Sequence, residues 1–161
     1  MLICDLAVAW ALYVFFKPTD KNKSAIAAWL RVVYALIFGV AIFGLVEILR
    51  LVNGADVNET IYPQVLSSMN LFKYGWLVGL EFFGAHLLVL GYLAFKSGYA
   101  PKIIGILLIV AALGYFVDTS AQLLMSNYTD YKSIFMPMVA LPGVISELSL
   151  CFWLLFKGGK K

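Results

Sequence analysis

Five long apolar runs, separated by short polar segments, most constrain how this chain can fold. The runs cover about residues 1–16, 26–49, 71–95, 103–125 and 135–156. A helix needs about 20 residues, at about 1.5 Å each, to cross the ~30 Å hydrocarbon core of a bilayer. Four runs reach that length, and the first is shorter. The pattern predicts an all-α integral membrane protein whose single domain, residues 1–161, is an antiparallel bundle of five transmembrane helices.

The composition excludes the soluble alternatives. Of the 161 residues, 63% are hydrophobic and 13% are charged, whereas a soluble domain has roughly 45–50% apolar and about 25% charged residues. Too few polar residues are present to cover a surface in water. The formal net charge of +3 is too small to indicate a nucleic-acid partner. We therefore expect membrane lipids, and no nucleic acid, around this chain.

The connections between the runs are short. Residues 17–24 form a polar turn, and we expect Ser24 at its end to cap the second helix. Residues 96–101 contain a Gly that ends one helix and a Pro that starts the next. Turns of this length predict that consecutive helices are antiparallel neighbours.

The basic residues favour one orientation in the membrane. Five crossings place nine of them on one side and three on the other. The nine are Lys17, Lys21, Lys23, Arg31, Lys96, Lys102, Lys157, Lys160 and Lys161, against Arg50, Lys73 and Lys132, which lie beside Asp56, Glu59 and Asp130. Since Lys and Arg accumulate on the cytoplasmic side, we expect the C-terminus in the cytoplasm and the N-terminus outside. A short first run and an outside N-terminus also suggest that an upstream helix is missing.

Small residues predict where the helices touch, because they let transmembrane helices approach closely. Gly75 and Gly79 form a GxxxG pattern. Other small residues in the second to fourth runs are expected to do the same: Gly39, Ala41, Gly44, Gly84, Ala85, Gly91, Gly105, Ala111, Ala112 and Gly114. The Gly75/Gly79 face leaves two readings open. It packs inside one bundle, or it contacts a second copy or another membrane protein.

Polar and ionisable side chains inside the runs are the candidate functional residues. A charged group costs roughly 2.5–3.5 kcal/mol at the centre of a membrane helix, so helices bury it inward, pair it or keep it neutral. Depth counted from the outer ends predicts an outer layer of Asp5, Glu47, Arg50, Asp118 and Gln122. Within it, the spacings predict a Glu47–Arg50 pair and an Asp118–Gln122 pair.

A second layer is predicted near mid-depth and contains Glu81, His86 and Glu147. Glu81 and His86 are five residues apart, about 140° around a helix, and are not expected to face one partner. Pro142 precedes Glu147 by about one turn, where it frees a carbonyl group and can kink the helix. Both layers together form the candidate ligand-binding set: Asp5, Glu47, Arg50, Glu81, His86, Asp118, Gln122 and Glu147.

Three readings of this set stay open at the sequence level. The side chains form a polar clamp between helices, a site for a proton, cation or small ligand, or a catalytic site. The chain contains no GxSxG, HExxH, P-loop or GxGxxG motif, and a single His gives no metal-ligand spacing and no haem pair. We therefore expect no cofactor, no metal and no catalytic residue.

Several segments together resemble an uncharacterised prokaryotic membrane family known as domain of unknown function 4386. They are residues 17–18, 74–92, 96–105, 114–120, 142–148 and 153–158. The resemblance implies a prokaryotic plasma membrane and a six-span fold, of which this chain lacks the first span, but it implies no reaction. It also implies that His86, Asp118 and Glu147 match the polar positions of the family better than Glu81 does.

The leading functional hypothesis is a small multi-pass membrane protein with an outward-opening polar pocket that binds or passes a proton, a cation or a small ligand. One alternative is a structural or accessory subunit of a membrane complex, in which the buried acids are clamps. A second alternative is a lipid-acting membrane enzyme that uses His86 as a base. An enzyme is the less favoured class.

Overall fold

Five helices that alternate in direction make up the described part of the chain, which is residues 2–54 and 61–158 of this computed structural model. They are α1 (Leu2–Phe16), α2 (Lys21–Gly54), α3 (Tyr62–Lys96), α4 (Lys102–Leu124) and α5 (Tyr128–Lys157). Each helix packs against the next one along the chain. Helices α2 to α5 are long and apolar enough to cross a membrane, whereas α1 is shorter. The predicted all-α integral membrane protein is confirmed.

The helices extend beyond the apolar runs that predicted them. Helix α3 begins nine residues before its run, with Pro63 in its first turn, where proline is favoured. Helix α2 begins at Lys21, and the backbone N–H of Lys23 donates to Oδ1 of Asp20 at 3.1 Å. Asp20 is therefore the cap. The expectation for Ser24 is wrong, because it lies inside the helix and its hydroxyl donates to the carbonyl of Tyr13 at 2.8 Å.

The turn between α1 and α2, the turn between α3 and α4, and the end of α5 meet at one end of the bundle. The Tyr99 hydroxyl donates to the carbonyl of Phe15 at 3.0 Å, and the Phe15 ring contacts that of Trp153, with 5.8 Å between centroids. We call this the lysine-rich end, after Lys17, Lys21, Lys23, Lys96, Lys102 and Lys157. Asp56, Glu59, Lys160 and Lys161, which also entered the orientation prediction, lie outside the described residues.

Glycines mark the closest helix crossings, as the sequence predicted. A Cβ atom on Gly105 of α4 would lie 2.7 Å from the carbonyl oxygen of Gly91 on α3. A Cβ on Gly75 would lie 2.9 Å from the Cβ of Ala41, and Gly79 lies against the ring of Tyr34. The Gly75/Gly79 face therefore packs against α2 of the same chain, which is the first of the two readings.

Candidate functional site

Four ionisable residues from four helices share one level of the bundle. Asp5 lies eleven residues before the end of α1, and Arg31 lies ten residues after the start of α2. His86 and Glu147 each lie ten residues before the ends of α3 and α5. At about 1.5 Å per residue, all four lie about 15 Å from the lysine-rich end. The four residues therefore share one level of the bundle, which the sequence predicts to be near mid-depth for His86 and Glu147.

Arg31 connects Asp5 to His86. One guanidinium nitrogen, Nη2, donates to Oδ1 of Asp5 at 2.8 Å, and Nη1 lies 3.4 Å from Nε2 of His86. The other ring nitrogen of His86, Nδ1, lies 2.8 Å from the carbonyl of Ala27. Because a carbonyl can only accept, Nδ1 carries the ring proton, and Nε2 is left to accept from Arg31. The geometry therefore fits a neutral imidazole beside a balanced ion pair.

An aromatic platform supports the guanidinium group. The centre of the Arg31 guanidinium lies 5.5 Å from the centroid of the Phe83 ring, within the range of a cation–π contact. The same ring packs against Tyr34, Tyr115 and His86, with centroids 5.0, 5.4 and 6.0 Å away. Arg31 Nε is buried without a hydrogen-bond partner among the described residues. Phe83 thus fixes Arg31 between α2 and α3 while one donor nitrogen stays unused.

Glu147 completes the level from α5. It is half-buried and lies ten residues before the end of α5, as His86 lies ten residues before the end of α3. It forms no hydrogen bond with any residue in the described ranges. The Tyr115 hydroxyl approaches α5 one turn earlier, because a Cβ on Gly143 would lie 3.2 Å from that oxygen. A carboxyl group with no hydrogen-bond partner among the described residues therefore lies at the level of an ion pair that is already balanced.

Glu81 belongs to a separate contact between α3 and α4. Its Oε1 accepts hydrogen bonds from the hydroxyls of Thr119 and Ser120, the latter at 3.2 Å. The Thr119 hydroxyl also lies 2.7 Å from the carbonyl of Tyr115. Glu81 faces α4 and His86 faces α2, which confirms that these two residues have different partners. The Glu81 contact links two helices and has the form of a polar clamp.

Asp118 and Gln122 form a second separate contact, near the end of α4 opposite to the lysine-rich end. Gln122 Nε2 donates to Oδ2 of Asp118 at 2.8 Å, which confirms the predicted pair. The Tyr128 hydroxyl donates to Oδ1 at 2.6 Å. Since Tyr128 is the first residue of α5, this contact fastens the start of α5 to α4.

Glu47 and Arg50 form the predicted pair on α2, at 3.4 Å. The side chains are 42% and 78% exposed, so the pair lies on the outside of the helix.

The prediction that Asp5 shares an outer layer with Glu47, Arg50 and Asp118 is wrong. Asp5 instead pairs with Arg31, which lies sixteen residues before Glu47 on α2, or about 24 Å along the helix.

The eight predicted residues therefore divide among four places. Asp5, His86 and Glu147 lie at one level of the bundle, whereas Glu81, the Asp118–Gln122 pair and the Glu47–Arg50 pair are separate. Arg31 is not among the eight predicted site residues, because the sequence indicates it only as one of the basic residues that orient the chain in the membrane. A usable signal existed, since Asp5 and Arg31 are nearly equidistant from the turn that joins their helices.

The fold and site define a class: an all-helical integral membrane protein with charged residues from several helices at one level of the bundle. The chain belongs to the family described as "Domain of unknown function (DUF4386)", whose sequence profile matches residues 1–158. It is also similar to a protein of Archaeoglobus fulgidus described as "Uncharacterized protein". The two are 33% identical over 160 residues, which is 99% of this chain and 80% of the relative. No solved structure matches the chain.

Proposed function

We propose that this protein binds a proton or a small cation at Glu147, and that the Asp5–Arg31–His86 network is the fixed surrounding of that site. The observation that carries the proposal is the environment of Glu147, a half-buried acid at mid-depth without a hydrogen-bond partner among the described residues. Acids within membrane spans commonly mark ion and proton pathways.

Charge balance supports a cation rather than an anion as the ligand. The carboxylate of Asp5 and the guanidinium of Arg31 neutralise each other, and the hydrogen bonds of His86 fit the neutral ring. An ionised Glu147 adds one uncompensated negative charge in a medium of low dielectric constant, which is costly. A proton or a bound cation removes that charge. The cluster is therefore neutral as a whole when Glu147 is occupied.

The network also indicates why Glu147, and not Asp5, is the proposed binding residue: Asp5 is already paired with Arg31. Arg31 is held from two sides, at 2.8 Å by Asp5 and at 3.4 Å by His86, so it provides a positive charge at a fixed place. Glu147 lies at the same level of the bundle as this fixed pair.

The buried position of His86 does not favour a lipid-acting enzyme. The side chain is fully buried, its ring packs on Phe83, and each ring nitrogen has a neighbour within hydrogen-bond distance. A general base needs access to the proton that it removes. We propose no catalytic role for this residue.

The test compares proton and cation flux in proteoliposomes that contain the wild type, Glu147→Gln or Glu47→Gln. We expect a pH- or cation-dependent flux, or a cation-dependent shift of the melting temperature, that Glu147→Gln abolishes. Glu47→Gln is the matched control, because this acid is exposed and lies away from the cluster. The proposal fails if the wild type shows neither effect, or if both variants reduce it equally.

A structural or accessory protein is the second candidate, and the contacts of Glu81 and Asp118 favour it. Both acids are satisfied by neighbouring side chains of the same chain, as expected of clamps. On this reading, Asp118→Asn lowers the melting temperature and leaves any flux unchanged. Copurification of another membrane protein with the wild type, together with an absence of flux, would select this candidate.

We propose that the chain resides in a prokaryotic plasma membrane, with the lysine-rich end and the C-terminus in the cytoplasm and the N-terminus outside. The gathering of six lysines at one end supports this placement through the preference of basic residues for the cytoplasmic side. The archaeal relative supports the prokaryotic setting.

A further inference from the structure

We propose that a groove between α1 and α2 binds one acyl chain of an anionic phospholipid, and that Lys17 and Lys21 bind its phosphate. The α1–α2 groove has a volume of about 450 Å³, within the range of roughly 300–1,000 Å³ for ligand pockets. Ala9, Ala25 and Ala28 line it together with Trp10, Tyr13 and Trp29. This inference is independent of the proposed function of Glu147.

The sizes of the lining side chains explain the groove. The three alanines leave space between the helices, whereas Trp10 and Trp29 project, with 68% and 69% of their surfaces exposed. The buried Ser24 hydroxyl donates to the carbonyl of Tyr13 at 2.8 Å, which joins α1 to α2 beside the groove. The groove is thus a furrow between two joined helices, with two large aromatic rings and a mostly apolar lining.

The length of the groove fits one leaflet of a bilayer. Its lining extends to Leu6, ten residues before the end of α1, and to Val32, eleven residues after the start of α2. At about 1.5 Å per residue this is about 15 Å from the lysine-rich end. Half of the ~30 Å hydrocarbon core has the same thickness. An acyl chain anchored at the lysine-rich end therefore spans the groove without crossing the midplane.

Two lysines at one end of the groove favour a lipid with an anionic headgroup. Lys17 lies one turn beyond Tyr13, and its ammonium group is 5.8 Å from the centroid of that ring. Lys21 lies one turn before Ala25, on the same face of α2. Lys17 and Lys21 are exposed, and juxtamembrane lysines attract anionic lipids.

Three of the four remaining lysines at this end have other neighbours. Lys23 is bound to the Asp20 carboxylate at 2.7 Å. Lys96 and Lys102 lie over the rings of Tyr92 and Phe95 on α3. Lys96 and Lys102 therefore provide a control pair at the same end of the molecule but outside the groove.

The experiment measures quenching of tryptophan fluorescence by phosphatidylglycerol with brominated acyl chains, added to the full chain in neutral detergent. Brominated phosphatidylcholine with the same chains is the uncharged comparison. We expect phosphatidylglycerol to quench at the lower concentration. Lys17→Gln/Lys21→Gln should weaken its apparent affinity by about 30-fold, whereas Lys96→Gln/Lys102→Gln should leave it within about twofold.

Two further samples test the groove itself. Ala28→Phe fills it and should weaken binding of both lipids while the lysines remain, and Trp10→Phe/Trp29→Phe should remove most of the quenching. Glycerol phosphate, which has no acyl chain, should not compete. Equal affinity for the two lipids, equal losses in the two lysine variants, unchanged quenching in the tryptophan variant, or competition by glycerol phosphate would each overturn the proposal.

Discussion

At the scale of single residues, the Asp5–Arg31 pair buries two opposite charges, either of which would be destabilising there without the other. The two side chains are 10% and 15% exposed. Taking both charges out of water is expensive, and their attraction offsets that cost only while both are present. The pair is therefore better understood as two mutually dependent charges than as a simple source of stability.

Removing one member of this pair should cost more than removing both. We expect Arg31→Leu or Asp5→Leu to lower the free energy of unfolding by about 3 kcal/mol, because each leaves an uncompensated buried charge. The double variant Asp5→Leu/Arg31→Leu should be more stable than either single variant. Unfolding in detergent, followed by circular dichroism, measures this cycle.

A strictly additive double variant would contradict the mutual dependence. Glu47→Leu serves as the comparison, since Glu47 belongs to an ion pair with exposed side chains. Exposed pairs contribute roughly 0–1 kcal/mol, so this change should have a small effect.

Which residues meet was only partly predictable from the sequence. The spacing along one helix gave the Glu47–Arg50 and Asp118–Gln122 pairs, because such contacts depend on helix geometry alone. The pairing of Asp5 with Arg31 depends on two helices and on where each begins. The apolar run begins at Ile26, which predicts Arg31 near an edge, but its contacts place Arg31 at the level of Asp5 and His86.

At the scale of secondary structure elements, the number of helices was predictable and their ends were not. Hydropathy identifies the part of a helix that lies in hydrocarbon, but a helix can continue beyond it into water. Helix α5, for example, begins at Tyr128, seven residues before its apolar run. The apolar runs gave the order of the elements but not the residue at which each element begins.

The cap of α2 should make stability depend on pH in acid. The hydrogen bonds that Lys23 donates from its side chain and backbone hold the pKa of the Asp20 carboxyl below its usual value of 3.8. A lowered pKa stabilises the folded state above pH 3.8, and this contribution disappears as the pH falls through the lowered value.

We therefore expect Asp20→Ala to melt at a lower temperature than the wild type at neutral pH, with a difference that shrinks below pH 3.8. Melting curves of both proteins across this range provide the measurement. Asp130→Ala is the control, since the Asp130 carboxylate forms no hydrogen bond with the described residues. A difference that stays constant with pH would contradict the assignment of Asp20 as the cap.

The crossing of α3 and α4 should tolerate no added methyl group. We expect Gly105→Ala to lower the free energy of unfolding by about 1–3 kcal/mol, because its Cβ would lie 2.7 Å from the Gly91 carbonyl and 2.8 Å from the Phe95 nitrogen, which are backbone atoms. Gly39→Ala is the matched control, since its nearest neighbour is the flexible end of Leu2, at 3.3 Å. Thermal unfolding of both variants in one detergent decides the comparison.

At the scale of the whole molecule, the common end of the helices determines the charged cluster. Helices that alternate in direction and share the lysine-rich end bring residues about ten positions from that end to one level. Four of the five helices contribute an ionisable residue there, and α4 contributes Ala112, ten residues after its start. Because Gly84 of α3 has no Cβ, the α4 backbone approaches it closely there, and a Cβ on Gly84 would lie 3.5 Å from the carbonyl oxygen of Ala112. The cluster therefore follows from topology and helix length together.

The same arrangement makes a prediction about orientation. We expect a reporter that fluoresces only in the cytoplasm to be active when fused after Lys161, because the lysine-rich end holds more basic residues than the opposite end. A periplasmic phosphatase fused at that position should be inactive. Replacing Lys17, Lys21, Lys96 and Lys102 by Gln should reduce the bias and give a mixture of both orientations. If the phosphatase fusion to the wild-type chain is active instead, the C-terminus is outside, and the α1–α2 groove would then open to the outer leaflet.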